Sequence, residues 1–134
     1  MSKSNGVEND TLTYWLTADA VTIPRPTSWY VALFITDASE DGSGTEVTLS
    51  EDASYARKAS TFNAPVDGVT ANAADVAFDA VVLVSSAYNI VGFAVFDALT
   101  AGNMLYYGNF ASSKNITGGE ELTFSAGDLI ISED

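Results

Sequence analysis

The side chains able to do chemistry in this chain are few, and they cluster. Six carboxylates, Asp37, Glu40, Asp41, Glu46, Glu51 and Asp52, fall in one polar stretch. Glycosidase or other acid–base work needs two carboxylates held apart across a cleft, in different protonation states. A run of acids around Gly42-Ser43-Gly44 reads instead as solvated charge on a surface loop. Asp37, Glu40 and Asp41 are the set that would share a calcium ion, although their spacing is not that of a helix-flanked calcium loop. Histidine and cysteine are absent. That removes Cys/His zinc sites, a Ser-His-Asp triad, thiol nucleophiles and disulfides. The segment GSGTEV, Gly42 to Val47, lacks the lysine and the following helix of a phosphate-binding loop and reads as a tight turn before a strand. No catalytic, cofactor-binding or metal residue is assigned, and the expectation is a protein that is not an enzyme.

Recognition is better served. Five basic residues stand against eighteen acidic ones, for a formal charge of −13. Nucleic acid and anionic lipid are therefore poor partners. Arg57 and Lys58 are adjacent at a strand start, where they face either the acidic loop of their own chain or a carboxylate of a neighbouring subunit. An exposed ion pair is worth only about 0–1 kcal/mol, so it would set orientation more than affinity. Tyr106 and Tyr107 are consecutive on a strand and must point to opposite faces, which makes one of them a candidate surface or interface ring. Leu12, Tyr14, Trp15 and Leu16 lie on a short helix near a polar N-terminus. The default reading is that this helix caps its own β core; the alternative is an arm that anchors onto another chain. The candidate partner interface is thus Leu12, Tyr14, Trp15, Leu16, Arg57, Lys58, Tyr106 and Tyr107.

These residues need elements to position them. Residues 1–6 are polar and expected to fray. Residues 7–18 read as a helix, ended by Ile23-Pro24-Arg25-Pro26. From there the pattern is β. Residues 28–36 (SWYVALFIT) and 88–97 (YNIVGFAVFD) are apolar on both alternating faces, as in strands covered on both sides. Gly92 in the second of them marks a close backbone approach. Residues 55–63 form another strand. Residues 97–103 connect to a strand at 104–111 as a hairpin. Residues 112–119 read as a polar loop, and residues 121–124 and 128–131 as short strands around Ser125-Ala126-Gly127. Turn signals recur about every ten residues, without strand–helix alternation. The expected fold is mostly β, an antiparallel β-sandwich or barrel-like domain with a short N-terminal helix. It divides into an arm at 1–18 and a single β domain at 19–134. No run is long and apolar enough to span a membrane, and the N-terminus lacks the apolar core of a secretory signal.

The order of segments carries a resemblance. WYVALFITD, GSGTEV, SYARKASTFNAP (Ser54 to Pro65), GFAVFDALTAGNMLYYGNF (Gly92 to Phe110) and ITGGEELTFSAGDL (Ile116 to Leu129) follow a short helix and a proline-containing stretch. Taken together, from about Leu12 to Ile131, they resemble a family of small virion structural proteins of tailed bacteriophages, labelled tail-fibre-like or capsid decoration proteins. The family commonly has a glycine pair before SYAR, where this chain has Leu49-Ser50-Glu51-Asp52. The resemblance implies a virion location and partners among the major capsid protein or other virion proteins. It also implies a homo-oligomer, dimer or trimer, matching the symmetry of its site. Capsid decoration, a cement role across shell seams, ranks first on size and on the lack of fibrous repeats. A tail fibre or baseplate component binding host surface or adaptor proteins ranks second.

Overall fold

Helix α1 (Asn5–Leu16) starts where Ser4 caps it, its side chain accepting from the Val7 N–H at 3.3 Å. In the computed structural model, which describes residues 2–133, the helix closes at Thr17, whose backbone N–H returns to the Thr13 carbonyl. The boundaries fall two residues before those expected from sequence, because the cap is Ser4 and not a later residue. Of the residues expected to fray, Met1 lies outside the described residues and 2–6 take part in a strand, a cap and a helix. Ser2–Lys3 forms strand β1, paired antiparallel with Tyr107 and Tyr106. The Ser4 N–H then donates to the Leu105 carbonyl at 2.9 Å and the Asn5 N–H to the Glu40 carbonyl at 2.9 Å. Two residues carry no periodicity, so this strand left no pattern in the sequence.

The main sheet has the order β1-β7-β6-β2-β3 and is antiparallel throughout. Its centre is β2 (Trp29–Phe34), β6 (Tyr88–Phe96) and β7 (Met104–Ile116); β3 (Lys58–Ser60) lies on one edge. The expected strand at 55–63 is thus shorter, because Arg57 turns into the protein. The loop after β2 does not stay in solvent. Ile35 N–H donates to the Thr45 carbonyl and Val47 N–H to the Leu33 carbonyl, so residues 45–47 take the pairing position beyond β3, and Val47 is buried. Strand β7 runs on to Ile116, through residues 112–115 expected as loop. Those residues are polar and exposed on both faces, so only pairing with β6 reveals them as strand.

The second layer is made of two small antiparallel sheets. Strand β4 (Val69–Ala71) pairs with β9 (Ile130–Ser132), and β5 (Val76–Ala77) pairs with β8 (Thr123–Phe124). The two strands flanking the 125–127 turn therefore pair with other strands, not with each other. Between the layers lies the main core. Val31, Leu33, Ile90, Phe93, Val95 and Ile116 of the large sheet meet Val47, Val76, Phe78, Val81, Leu129 and Ile131. Rings bridge the layers in series, Tyr55–Phe78–Phe124–Phe110–Phe93, with centroids 5.8 to 6.4 Å apart. The opposite face of β2 and β6 carries a second cluster, Ala32, Phe34, Ala38, Ala94, Phe96 and Met104. Both faces are covered, as the two-sided apolar pattern requires, and the architecture is a mostly β, sandwich-like fold.

Gly92 sits at an irregularity in the β6–β7 ladder, where the register jumps from Ile90↔Lys114 to Gly92↔Asn109. A Cβ on Gly92 would run into the Gly108 carbonyl oxygen and come within 3.1 Å of Asn109 Cα. Both are backbone atoms of a paired strand and cannot swing aside. Gly92→Val should therefore cost about 1–3 kcal/mol by overpacking. A wild-type midpoint in urea denaturation would refute that.

Candidate interaction surface

The eight interface candidates from the sequence separate into three groups. The helix group is exposed: Leu12, Tyr14, Trp15 and Leu16 retain 58%, 67%, 74% and 75% of their accessible surface, and no residue of α1 is buried. The expectation that this helix caps its own β core is not met. Instead α1 is held at its start by the β1 and Ser4 backbone bonds. It is tied to the chain that follows by Asp10, whose carboxylate accepts from the Thr22 N–H at 2.7 Å and the Ile23 N–H at 2.6 Å. Those two bonds hold the Asp10 carboxyl below its ordinary range. The helix is thus fixed in place while its large apolar side chains face outward. Tyr14 and Trp15 pack edge to face, centroids 5.1 Å apart.

Arg57 and Lys58 find partners within the chain. Arg57 is buried. Its guanidinium makes a forked pair with Glu46, Nε to Oε1 at 2.9 Å and Nη2 to Oε2 at 2.8 Å. Nη1 donates to the carbonyls of Ala98 and Ala101, and the group lies 3.6 Å over the Phe96 ring. Glu46 also accepts from the Tyr55 hydroxyl, which itself accepts from the Leu33 N–H. Burial first, then the Glu46 charge, pushes the Tyr55 hydroxyl well above its ordinary range. Arg57 therefore pins the acidic loop and the β6–β7 turn to the sheet. Lys58 pairs with Asp79 at 2.9 Å at the surface.

Tyr106 and Tyr107 do point to opposite faces, Tyr106 against the main core and Tyr107 against the second cluster. Both are half-buried, with β1 paired alongside them in the sheet. The Tyr106 hydroxyl donates to Glu133, whose other oxygen pairs with Lys3 at 3.2 Å. Burial, with the Glu133 contact second, raises the Tyr106 hydroxyl above its ordinary range.

The acidic loop turns carboxylates onto its own backbone. Asp37 and Asp41 each accept a backbone N–H two residues on, from Ser39 and Ser43. No group of three or more carboxylates is placed to hold a metal among the described residues. Asp52 instead is buried, and its Oδ1 accepts from the N–H groups of Ser54 and Val82, both at 2.9 Å. Tyr88 beside it has its hydroxyl pushed up to about 12, by burial first and the Asp52 charge second.

What sequence reading missed is a cleft of about 750 Å³ at the seam between the large sheet and the β4–β9 pair, walled by Trp29, Phe62 and Tyr106 and lined also by the core residues Val95 and Ile131. Its lining comes from segments between residues 29 and 133, so no local motif could have shown it. A smaller hollow of about 490 Å³ adjoins it, sharing Trp29 and Tyr106 and lined on its far side by Tyr14, Trp15 and Arg25. The aromatic helix and the cleft thus belong to one face of the molecule.

No curated protein matches the chain. A family model described as Podophage GP4 fiber I protein gp80 matches residues 2–132. That span takes in α1, every strand described above and the walls of the cleft, and the chain belongs to this family of phage virion structural proteins.

Proposed function

We propose that the protein is a non-enzymatic subunit of a virion fibre, joined to other virion proteins through the exposed face of α1. The family match carries this reading, since its description is of a fibre protein. Shell decoration, ranked first on sequence, rested on size and on the lack of fibrous repeats, and neither feature names a location. The geometry supports an attachment role. A rigidly tethered helix presents Leu12, Trp15 and Leu16 at i, i+3 and i+4, the spacing by which a helix lays an apolar stripe into a groove. A large aromatic seated in a partner's pocket is the usual energetic centre of an interface.

The test is copy number. Quantifying the protein against the major shell protein in purified particles should give a small fraction, as fibres are few. A number comparable to the shell protein would overturn the fibre reading. The attachment surface is tested separately. Trp15→Ser combined with Leu16→Ser changes only exposed side chains and should leave the unfolding free energy within about 0.5 kcal/mol of wild type. Incorporation into particles should fall roughly tenfold or more. Deleting residues 1–18 is the poorer test, because it also removes β1 from the sheet edge.

A further inference from the structure

We propose that the cleft between Trp29, Phe62 and Tyr106 is a binding site for a neutral saccharide. Its volume of about 750 Å³ lies within the usual ~300–1,000 Å³ of small-ligand sites. Its chemistry is that of an amphipathic ring. A sugar presents a flat patch of C–H groups on one face and hydroxyls around its rim. Aromatic faces carry negative charge density that attracts such polarised C–H groups, and three rings line this cleft. The rim needs groups that donate and accept at once. Asn63 and Thr61 line the cleft, and a side-chain amide and a hydroxyl can each do both. Neither side chain is engaged in a hydrogen bond within the chain among the described residues.

Charge narrows the ligand further. Among the described residues Glu133 is the one charged side chain of the lining, and it is already matched by Lys3 and by the Tyr106 hydroxyl. The cleft is therefore close to electrically neutral on a protein of charge −13. Acidic peptides, nucleic acids and acidic polysaccharides are repelled by the surroundings, and a cation finds its carboxylate occupied. A neutral, hydroxyl-rich ligand meets neither obstacle.

The walls are set before any ligand arrives. The Asn63 N–H donates to the Ala71 carbonyl at 3.0 Å, the Thr70 hydroxyl to the Asn63 carbonyl at 2.6 Å, and the Glu133 N–H to the Gly68 carbonyl at 2.8 Å. A pre-formed cleft avoids the ordering cost that weakens binding by mobile loops.

The inference takes its biological sense from the fibre reading, yet it is tested on the isolated chain. The full-length protein is applied to a printed array of neutral and acidic bacterial polysaccharides. Oligosaccharides of the retained classes are then titrated by ligand-observed NMR. Retention of neutral glycans is expected, with Asn63→Ala and Phe62→Ala each weakening binding about tenfold and Leu49→Ser, an exposed position outside the lining, leaving it unchanged. Asn63 is exposed, so Asn63→Ala keeps the test sound should Phe62→Ala unfold. No retained neutral glycan, a preference for acidic ones, or unchanged affinity in Asn63→Ala would each overturn the proposal. None of these outcomes bears on copy number, so the two readings fail separately.

Discussion

Arg57→Ala should lower the melting temperature by about 10–20 °C. The Arg57 side chain is 8% exposed and that of Glu46 23%, so the pair sits largely out of water. Removing one member of a buried, hydrogen-bonded pair typically costs about 3–5 kcal/mol, because the other charge is left without compensation. At roughly 3–5 °C per kcal/mol for a chain of this size, the shift follows. The loss is compound. Glu46 loses both prongs of its fork, the carbonyls of Ala98 and Ala101 lose their donor, and the Phe96 ring loses its cover. Arg57→Lys keeps the charge but not the planar fork, and should fall between the two. The comparison is Lys58→Ala, one residue on, whose partner Asp79 is 63% exposed. An exposed pair of that kind is worth about 0–1 kcal/mol. Thermal unfolding followed by circular dichroism decides it: equal losses for Arg57→Ala and Lys58→Ala would refute the argument.

Asn72→Ala is the second large effect, expected at about 3 kcal/mol. Asn72 is fully buried. Its amide donates to the carbonyls of Ala74 and Ser125 at 2.9 and 3.0 Å, and its Oδ1 accepts from the Leu129 N–H at 2.8 Å. One side chain thereby stitches the chain between β4 and β5 to the turn between β8 and β9. Truncation strands backbone groups that have no water to turn to, each worth about 1–3 kcal/mol. Asn72→Asp should cost as much or more, since it keeps the acceptor but sets oxygen against the two carbonyls. Midpoints from urea denaturation measure both, and a loss below about 1 kcal/mol for either would show that water replaces the amide.

These two residues mark where sequence reading works and where it stops. The β6–β7 hairpin was legible because alternation, a turn-rich connection and a second alternating run lie side by side. Gly92 was legible for the same reason, as the residue out of place in an apolar strand. The N-terminal helix was legible in its extent but not in its exposure, because apolar residues at helical spacing look alike whether they meet a core or a partner. Arg57 next to Lys58 in a polar neighbourhood reads as a surface pair. Only the fold shows that the loop bearing Glu46 returns along β2 and closes over it. Asn72, in ANAAD, carries no local mark at all; its three partners lie as far away as Leu129. The cleft is invisible for the same reason, its walls being set by β2, β7 and the chain around β4. Local patterns reveal elements; sites built from distant segments require their pairing.

Among the described residues four of the five cations, Lys3, Arg57, Lys58 and Lys114, are committed to carboxylates of the same chain, which leaves Arg25. Beyond the Debye length of about 8 Å at physiological salt, each committed pair cancels and only the surplus acid is felt. Encounter kinetics follow. A basic partner is drawn in from a distance, and its association rate falls as ionic strength rises. Two copies of this chain repel at that range, and their association rate rises under the same change. Salt thus separates the two kinds of encounter in time before any apolar surface is touched.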